Sequence, residues 1–239
     1  MKAEVVLTVA ESKRLIAKGV AATPLVQEKM LKGVIVVAKG GTNAYVYEEL
    51  TGQTIDKYAY VTGRLAPAKS TVGRRGGSVP ELVLVDGEPT PELDRFTALE
   101  VMKPGDIYIK GANALNYEAG VAGITIGHHT GGTIGGALGT IIAKKLRLLI
   151  PIGLEKEIPF DIHDASLFAR EPDEELGRVF SLWPVQEAII LTEIEALHTL
   201  CGVEAIPVAA GGILGAEGGV RLLLMGDGQA VRRAVTLVE

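Results

Sequence analysis

Between Lys110 and Gly135 the chain brings together seven glycines, two asparagines, one glutamate and two adjacent histidines. A glycine turn that leaves a strand and enters a helix lets backbone N–H groups close around an anion, and the helix dipole adds attraction. Gly131, Gly132 and Thr133 read as such a cradle for phosphate or carboxylate. The alternative is that these glycines only admit close packing of helix on sheet, which Gly135, Gly136 and Gly139, at helical spacings of three and four, fit better. Gly40 to Asn43 repeats the pattern, with Gly41, Thr42 and Asn43 as ligand-binding candidates, although Thr42 can equally serve as a helix N-cap.

Other polar groups surround these turns. Lys110 stands at a strand end, where a cation meets an anionic ligand or simply faces solvent. Asn113 and Asn116 can bind a substrate hydroxyl or carboxylate, or can close Asx turns. Glu118 is the one carboxylate inside the stretch, so it is the default general base; the plainer reading is a surface loop charge. His128 and His129 on a strand would point to opposite faces and chelate a metal badly, which leaves His128 as an acid–base candidate. Asp161, His163 and Asp164 add ligand types without a recognised spacing, so neither metal nor cofactor is expected. Arg64, Arg74 and Arg75 lie in a turn-rich segment that can fold over an anion.

The elements that must position these residues follow from patterning. A continuous β-branched run, Val34 to Val37, predicts a strand buried on both faces, and the segment after it a helix ending at Gly52. Strands are also expected at 81–85, before the tight-turn pair Asp86-Gly87, at 106–109 and at 147–152. Helical spacing covers 11–22, 91–102 and 137–146. Strands alternating with helices predict an α/β fold with a mostly parallel sheet and flanking helices, across residues 1–170. The polar stretch from Arg170 to Gly177 reads as a link. Beyond it, strand 179–184, helix 192–201, strands 203–209 and 220–225 and helix 229–238 predict a small ferredoxin-like α+β domain over 171–239.

Bulk properties narrow the function classes. The 239 residues are 47% apolar and 22% charged, with a net charge of −5, an ordinary globular composition with no basic footprint for nucleic acid. The lone cysteine, Cys201, excludes an internal disulfide. Lys144, Lys145 and Arg147 cut the longest apolar stretch below membrane-spanning length, and Glu4 and Glu11 break the N-terminal apolar run. A cytoplasmic protein without a membrane partner is expected. An incomplete small sheet leaves an edge to cover, so a homo-oligomer is expected.

Four segments resemble, in order, those of ribose 5-phosphate isomerases and the related CoA-transferase branch: KGGTNAYVYEEL, GANALN, RLLIPIGLEKEIP and LWPVQEAIILTEIEALHTLCG. The resemblance covers most of residues 12–225. It implies that Gly111, Asn113 and Asn116 belong to a substrate loop and that Lys156 holds the family's lysine position. The acidic pair of that loop is replaced by Asn113 and Asn116, and Gly139-Thr140 stands where the isomerases carry their glutamate base. The function expected is therefore an isomerase- or transferase-type enzyme that binds a phosphorylated or carboxylated metabolite, or a CoA ester. The alternative is a non-catalytic ligand sensor or assembly protein on the same fold.

Overall fold

A computed structural model describes residues 1–62, 79–176 and 179–239. Arg64, Arg74 and Arg75 lie outside them. The chain is mixed α/β, built on a six-stranded mixed sheet with flanking helices. In chain order it runs β1 (Lys2–Leu7), α1 (Val9–Ala22), α2 (Pro24–Leu31), β2 (Val34–Val37), α3 (Gly41–Thr51), β3 (Leu82–Val85), β4 (Glu88–Pro89), α4 (Ala98–Val101), β5 (Ile107–Ile109), β6 (Ala114–Asn116) and β7 (Val121–Ile126). It continues through α5 (Gly132–Ala143), β8 (Arg147–Pro151), a single 3₁₀ turn (Leu154–Lys156), α6 (Ile162–Phe168), β9 (Ser181–Val185), β10 (Ile189–Leu191), α7 (Glu193–Cys201), β11 (Glu204–Gly211), β12 (Gly219–Met225) and α8 (Gly228–Val238). No helix among the described residues is long and apolar enough to cross a membrane.

The main sheet has the order β10-β8-β5-β2-β3-β4, with β10, β8, β5 and β2 parallel. Its inner strands are the β-branched runs, and every residue of Val34–Val37 and Ile107–Ile109 is buried. Continuous apolar runs suit strands covered on both faces, which a parallel sheet requires. The antiparallel arm starts at Asp86-Gly87, where φ values of 50° and 82° make the turn that joins β3 to β4. The helix expected across 91–102 shrinks to α4, because the Asp94 carboxylate captures the amides of Phe96 and Thr97, each at 2.8 Å, and holds a turn.

Two smaller sheets depart from the expected layout. β6, β7 and β9 form an antiparallel sheet in the order β6-β7-β9, with Ile162 of α6 packed on Ala114 and Val121. Gly123 leaves little room there: a Cβ would lie 3.0–3.2 Å from side-chain atoms of Leu182, Ala114 and Ile162, which would have to give way. In the C-terminal sheet β12 pairs antiparallel with β11 on one side and β1 on the other. The strand expected at 179–184 therefore joins β7, and residues 2–7 take the place beside β12. Val5 and Leu7 alternate with exposed Glu4 and Val6, so β1 offers one apolar face to the helices behind it.

Helices α1 and α7 pack closely against each other. A Cβ on Gly19 would sit 2.5 Å from that of Ala196, so only glycine lets the two backbones approach this far. This contact brings the first turn of α1 up to the edge where the parallel strands end.

Candidate functional site

Strands β2, β5, β8 and β10 are parallel, so their carboxyl ends lie along one edge. The loops stay in register just past it: Ala38 N–H donates to the Ile109 carbonyl, Lys110 N–H to Leu149 and Ile152 N–H to Leu191, each at 3.0 Å. Ligands of open α/β sheets bind at this edge. The loops that meet there carry Gly40 to Asn43, Lys110 to Asn113, Ile152 to Lys156 and Thr192-Glu193.

The first loop enters α3 through Gly40 and Gly41, and no side chain caps the helix. Its leading N–H groups are therefore available to a ligand. Thr42 lies inside the helix, which rules out its use as the N-cap. Asn43 is wholly buried and ties two loops together, its Nδ2 donating to the carbonyls of Ala38 at 2.6 Å and Ile109 at 3.3 Å. Asn43 Oδ1 and Thr42 Oγ1 are buried without a hydrogen-bond partner among the described residues. Asn43 Oδ1 lies 3.9 Å from the position a Cβ on Gly111 would take, so the two glycine loops face each other.

Cations gather at the same place. Lys110 Nζ donates to the Gly111 carbonyl at 2.7 Å, and Lys156 Nζ to the next carbonyl, Ala112, at 3.0 Å. Two ammonium groups thus sit on consecutive carbonyls of one loop. Burial, and then the Lys156 charge, push the Lys110 amine down to about 8. Lys156 is also pushed down, first by burial and further by Lys13, although Glu155 and Glu193 oppose this. Lys13 Nζ stands 3.9 Å from where a Gly41 side chain would begin, at the positive end of α3. Among the described residues, none of the three lysines has a carboxylate within 4.0 Å.

Two carboxyl groups complete the edge. Glu193 opens α7 and is fully buried, because the Thr192–Glu195 capping box fixes the helix start directly over the 3₁₀ turn. Its Oε2 accepts from the Leu154 amide at 3.0 Å, with the buried Ser12 of α1 beside it. Glu193 Oε1 and Glu155 Oε2 have no hydrogen-bond partner among the described residues. Both press on the space beside Gly153, where a Cβ would lie 1.8 Å from Glu155 Oε2 and 3.1 Å from Glu193 Oε1. Burial pushes the Glu193 carboxyl up, the neighbouring Glu155 charge adds to the rise, and its own backbone amide, the nearby Ser12 and the Leu154 amide only partly offset it.

Comparison with protein-family models, with curated proteins and with solved structures gave no match. The chemistry of this chain is thus argued from its own residues.

The raised Glu193 value has a measurable consequence. A carboxyl that binds its proton more tightly folded than unfolded lowers stability as pH rises from the unfolded value through the folded one. Glu193→Gln keeps an acceptor for Leu154 and removes the buried charge. It is expected to raise the melting temperature at neutral pH, by about 2–4 °C for each 1 kcal/mol gained. The advantage should vanish near pH 4; a variant less stable than the parent at pH 8 would contradict the buried-charge account.

Of the residues singled out by sequence, Gly41, Thr42, Asn43, Lys110, Gly111 and Lys156 come together. Others do not. Asn113 Oδ1 accepts from Thr125 N–H at 3.0 Å, and Asn116 Oδ1 from Ala119 N–H at 3.1 Å, so both amides serve the β6–β7 hairpin. Glu118 is exposed in the hairpin turn, roughly 16 Å along the extended chain from Asn113. His128 lies past the end of β7, where strand alternation no longer applies; its ring stacks on His129 at 4.3 Å and its Nδ1 meets Thr130 Oγ1 at 2.8 Å. Gly131, Gly132 and Thr133 open α5, but Gly131 packs on Gly135 and Trp183 of the second sheet. The Asp161 carboxylate caps α6 through the amides of His163 and Asp164. Sequence reading missed Lys13, Glu155 and Glu193. Lys13 lies on an amphipathic helix and Glu193 behind an ordinary capping threonine, so neither carries a local signal of its role.

Proposed function

We propose that this protein is a small-molecule enzyme of isomerase or transferase type, acting on a phosphorylated or carboxylated metabolite or a CoA ester. The observation that carries the reading is the meeting of Lys13, Lys110 and Lys156 at the uncapped start of α3 without a carboxylate at ion-pair distance. Holding like charges together at the positive end of a helix costs free energy, and an anion seated among them removes that cost. Asn43 Oδ1 and Thr42 Oγ1, buried and unused, are polar groups that such a ligand's hydroxyls or oxygens can satisfy. The adjacent Glu155–Glu193 pair supplies proton-transfer groups of the kind an isomerase or transferase needs. The order of motifs resembling ribose 5-phosphate isomerases and CoA-transferases fits the same reading.

A binding-only sensor is the second reading. Its support is that Gly139 and Thr140, at the position of the isomerase glutamate, lie within α5 and offer no carboxylate.

A thermal-shift series with inorganic phosphate, ribose 5-phosphate, lactate and acetyl-CoA tests both. A ligand at 100 times its Kd is expected to stabilise the fold by about 2.7 kcal/mol. No shift with any anion at millimolar concentration would remove the shared anion-site reading. Turnover of the stabilising ligand would exclude the sensor, and its absence at high protein concentration would exclude the enzyme.

A further inference from the structure

We infer that the Lys110 amine, held on the Gly111 carbonyl beside the Lys156 ammonium and the start of α3, condenses with the carbonyl group of a small phosphorylated or carboxylated substrate to form an imine. This rests on the anion-site reading above and narrows the substrate class to carbonyl compounds.

The geometry separates Lys110 from the other lysines among the described residues. It follows the central parallel strand β5, so its backbone is fixed by the hydrogen bond from its own amide to Leu149. One of its ammonium hydrogens is engaged by its own loop, and no carboxylate holds the group as an ion pair among the described residues. A second ammonium, Lys156, is anchored on the adjacent carbonyl. A cationic neighbour and a desolvated pocket are what make a lysine amine nucleophilic at neutral pH. The lowered value of about 8 is consistent with that arrangement. Lys13, Lys156 and the first turn of α3 lie where the substrate's anionic end would rest, and the Asn43 carbonyl faces the Lys110–Gly111 loop.

The step balances without a redox partner. The ammonium first gives up one proton. The Nζ lone pair then attacks the carbonyl carbon, and the carbonyl oxygen takes a proton to become the hydroxyl of a carbinolamine. Loss of that hydroxyl as water, with the remaining amine proton, leaves the C=N bond. The charged group beside the amine is Lys156, and around Lys156 lie Glu155, Lys13 and Glu193; water exchanges the protons.

The test uses pyridoxal 5′-phosphate, which carries an aldehyde and a phosphate on one small molecule, followed by borohydride and peptide mass mapping. Substoichiometric reagent is expected to label the Lys110 peptide at least about tenfold more than the peptides of exposed lysines, since an amine at about 8 holds far more of its free form at neutral pH than one at the ordinary lysine value. Inorganic phosphate should reduce the label, and Lys110→Arg should remove it. Label spread evenly over surface lysines of the parent protein, or retained in full by Lys110→Arg, overturns the inference. Phosphate stabilisation measured on the same samples keeps the two readings apart. A protein that phosphate stabilises but that Lys110 does not bring to an imine retains its anion site and loses only the amine chemistry.

Discussion

Replacing Lys156 with methionine is expected to weaken inorganic phosphate binding roughly 10- to 100-fold, the worth of about 1.5–3 kcal/mol for a hydrogen bond to a charged group. The same substitution should leave the unliganded protein as stable as before or more so. Lys156 titrates below the ordinary lysine range because burial and Lys13 act against its charge. A lysine whose folded value is lowered subtracts from stability at every pH below that value, and the loss is recovered only above the unfolded value. Methionine keeps most of the stem's packing and removes the charge. Weaker binding together with an unchanged or higher melting temperature is therefore the signature of a ligand-directed cation. Calorimetry with phosphate and a melting curve without it, on the same preparation, check both halves. Unaltered phosphate affinity would remove Lys156 from the site. With its cationic neighbour gone, the Lys110 amine should also move up from about 8 towards the usual lysine range.

The largest loss of stability should come from Glu48→Ala. The buried Glu48 carboxylate accepts from Arg14 of α1, from Lys57 Nζ at 2.7 Å and from the Ile55 amide at 3.1 Å, while Arg14 also reaches Glu49 at 2.8 Å. One carboxylate thereby ties α1, α3 and the 52–57 segment together. Removing one partner of a buried charged network costs about 3–5 kcal/mol, or roughly 10 °C in melting temperature for a chain of this size. Burial pushes the Glu48 carboxyl up, but the bonds from Lys57, Arg14 and Ile55 outweigh it, and the group ends below the usual carboxylate value. Its contribution is then complete above the unfolded value and is lost as pH falls through the folded one. The gap between parent and variant should be full at pH 7 and close below about pH 4. A loss at pH 7 no greater than that of an exposed glutamate would refute the network's role. Because α1 carries Ser12 and Lys13, a shifted α1 should also weaken phosphate binding.

Several parts of the site were legible without coordinates. The run Val34–Val37 followed by Gly40-Gly41 marks a buried strand turning into a helix, and so locates Gly41 and Asn43 at a strand's carboxyl end. Lys110 stood out because it ends an apolar strand just before a glycine. The Asp86-Gly87 pair announced its turn, since few other residue pairs accept positive φ at both positions. Glu118 shows what local sequence leaves open. As the lone carboxylate in the stretch it was the default base or else a surface loop charge; residues 114–126 form a hairpin, and its turn leaves Glu118 exposed. Lys13 and Glu193 show the converse: each sits in an unremarkable helical context and becomes chemically special only through burial.

The amino-acid sequence by itself determined the α/β character, the buried parallel strands and the glycine turns, because these are local consequences of side-chain shape and backbone freedom. Tertiary structure alone decided which strands pair: β1 beside β12, β9 beside β7, and β10 on the edge of the main sheet. Alternation of apolar residues says which face of a strand is buried but not which distant strand will cover its edge. Tertiary structure also assembled Lys13, Lys110, Glu155-Lys156 and Glu193 from four separate points on the chain. The charge state and reactivity of such groups depend on desolvation and on neighbours brought close only by folding.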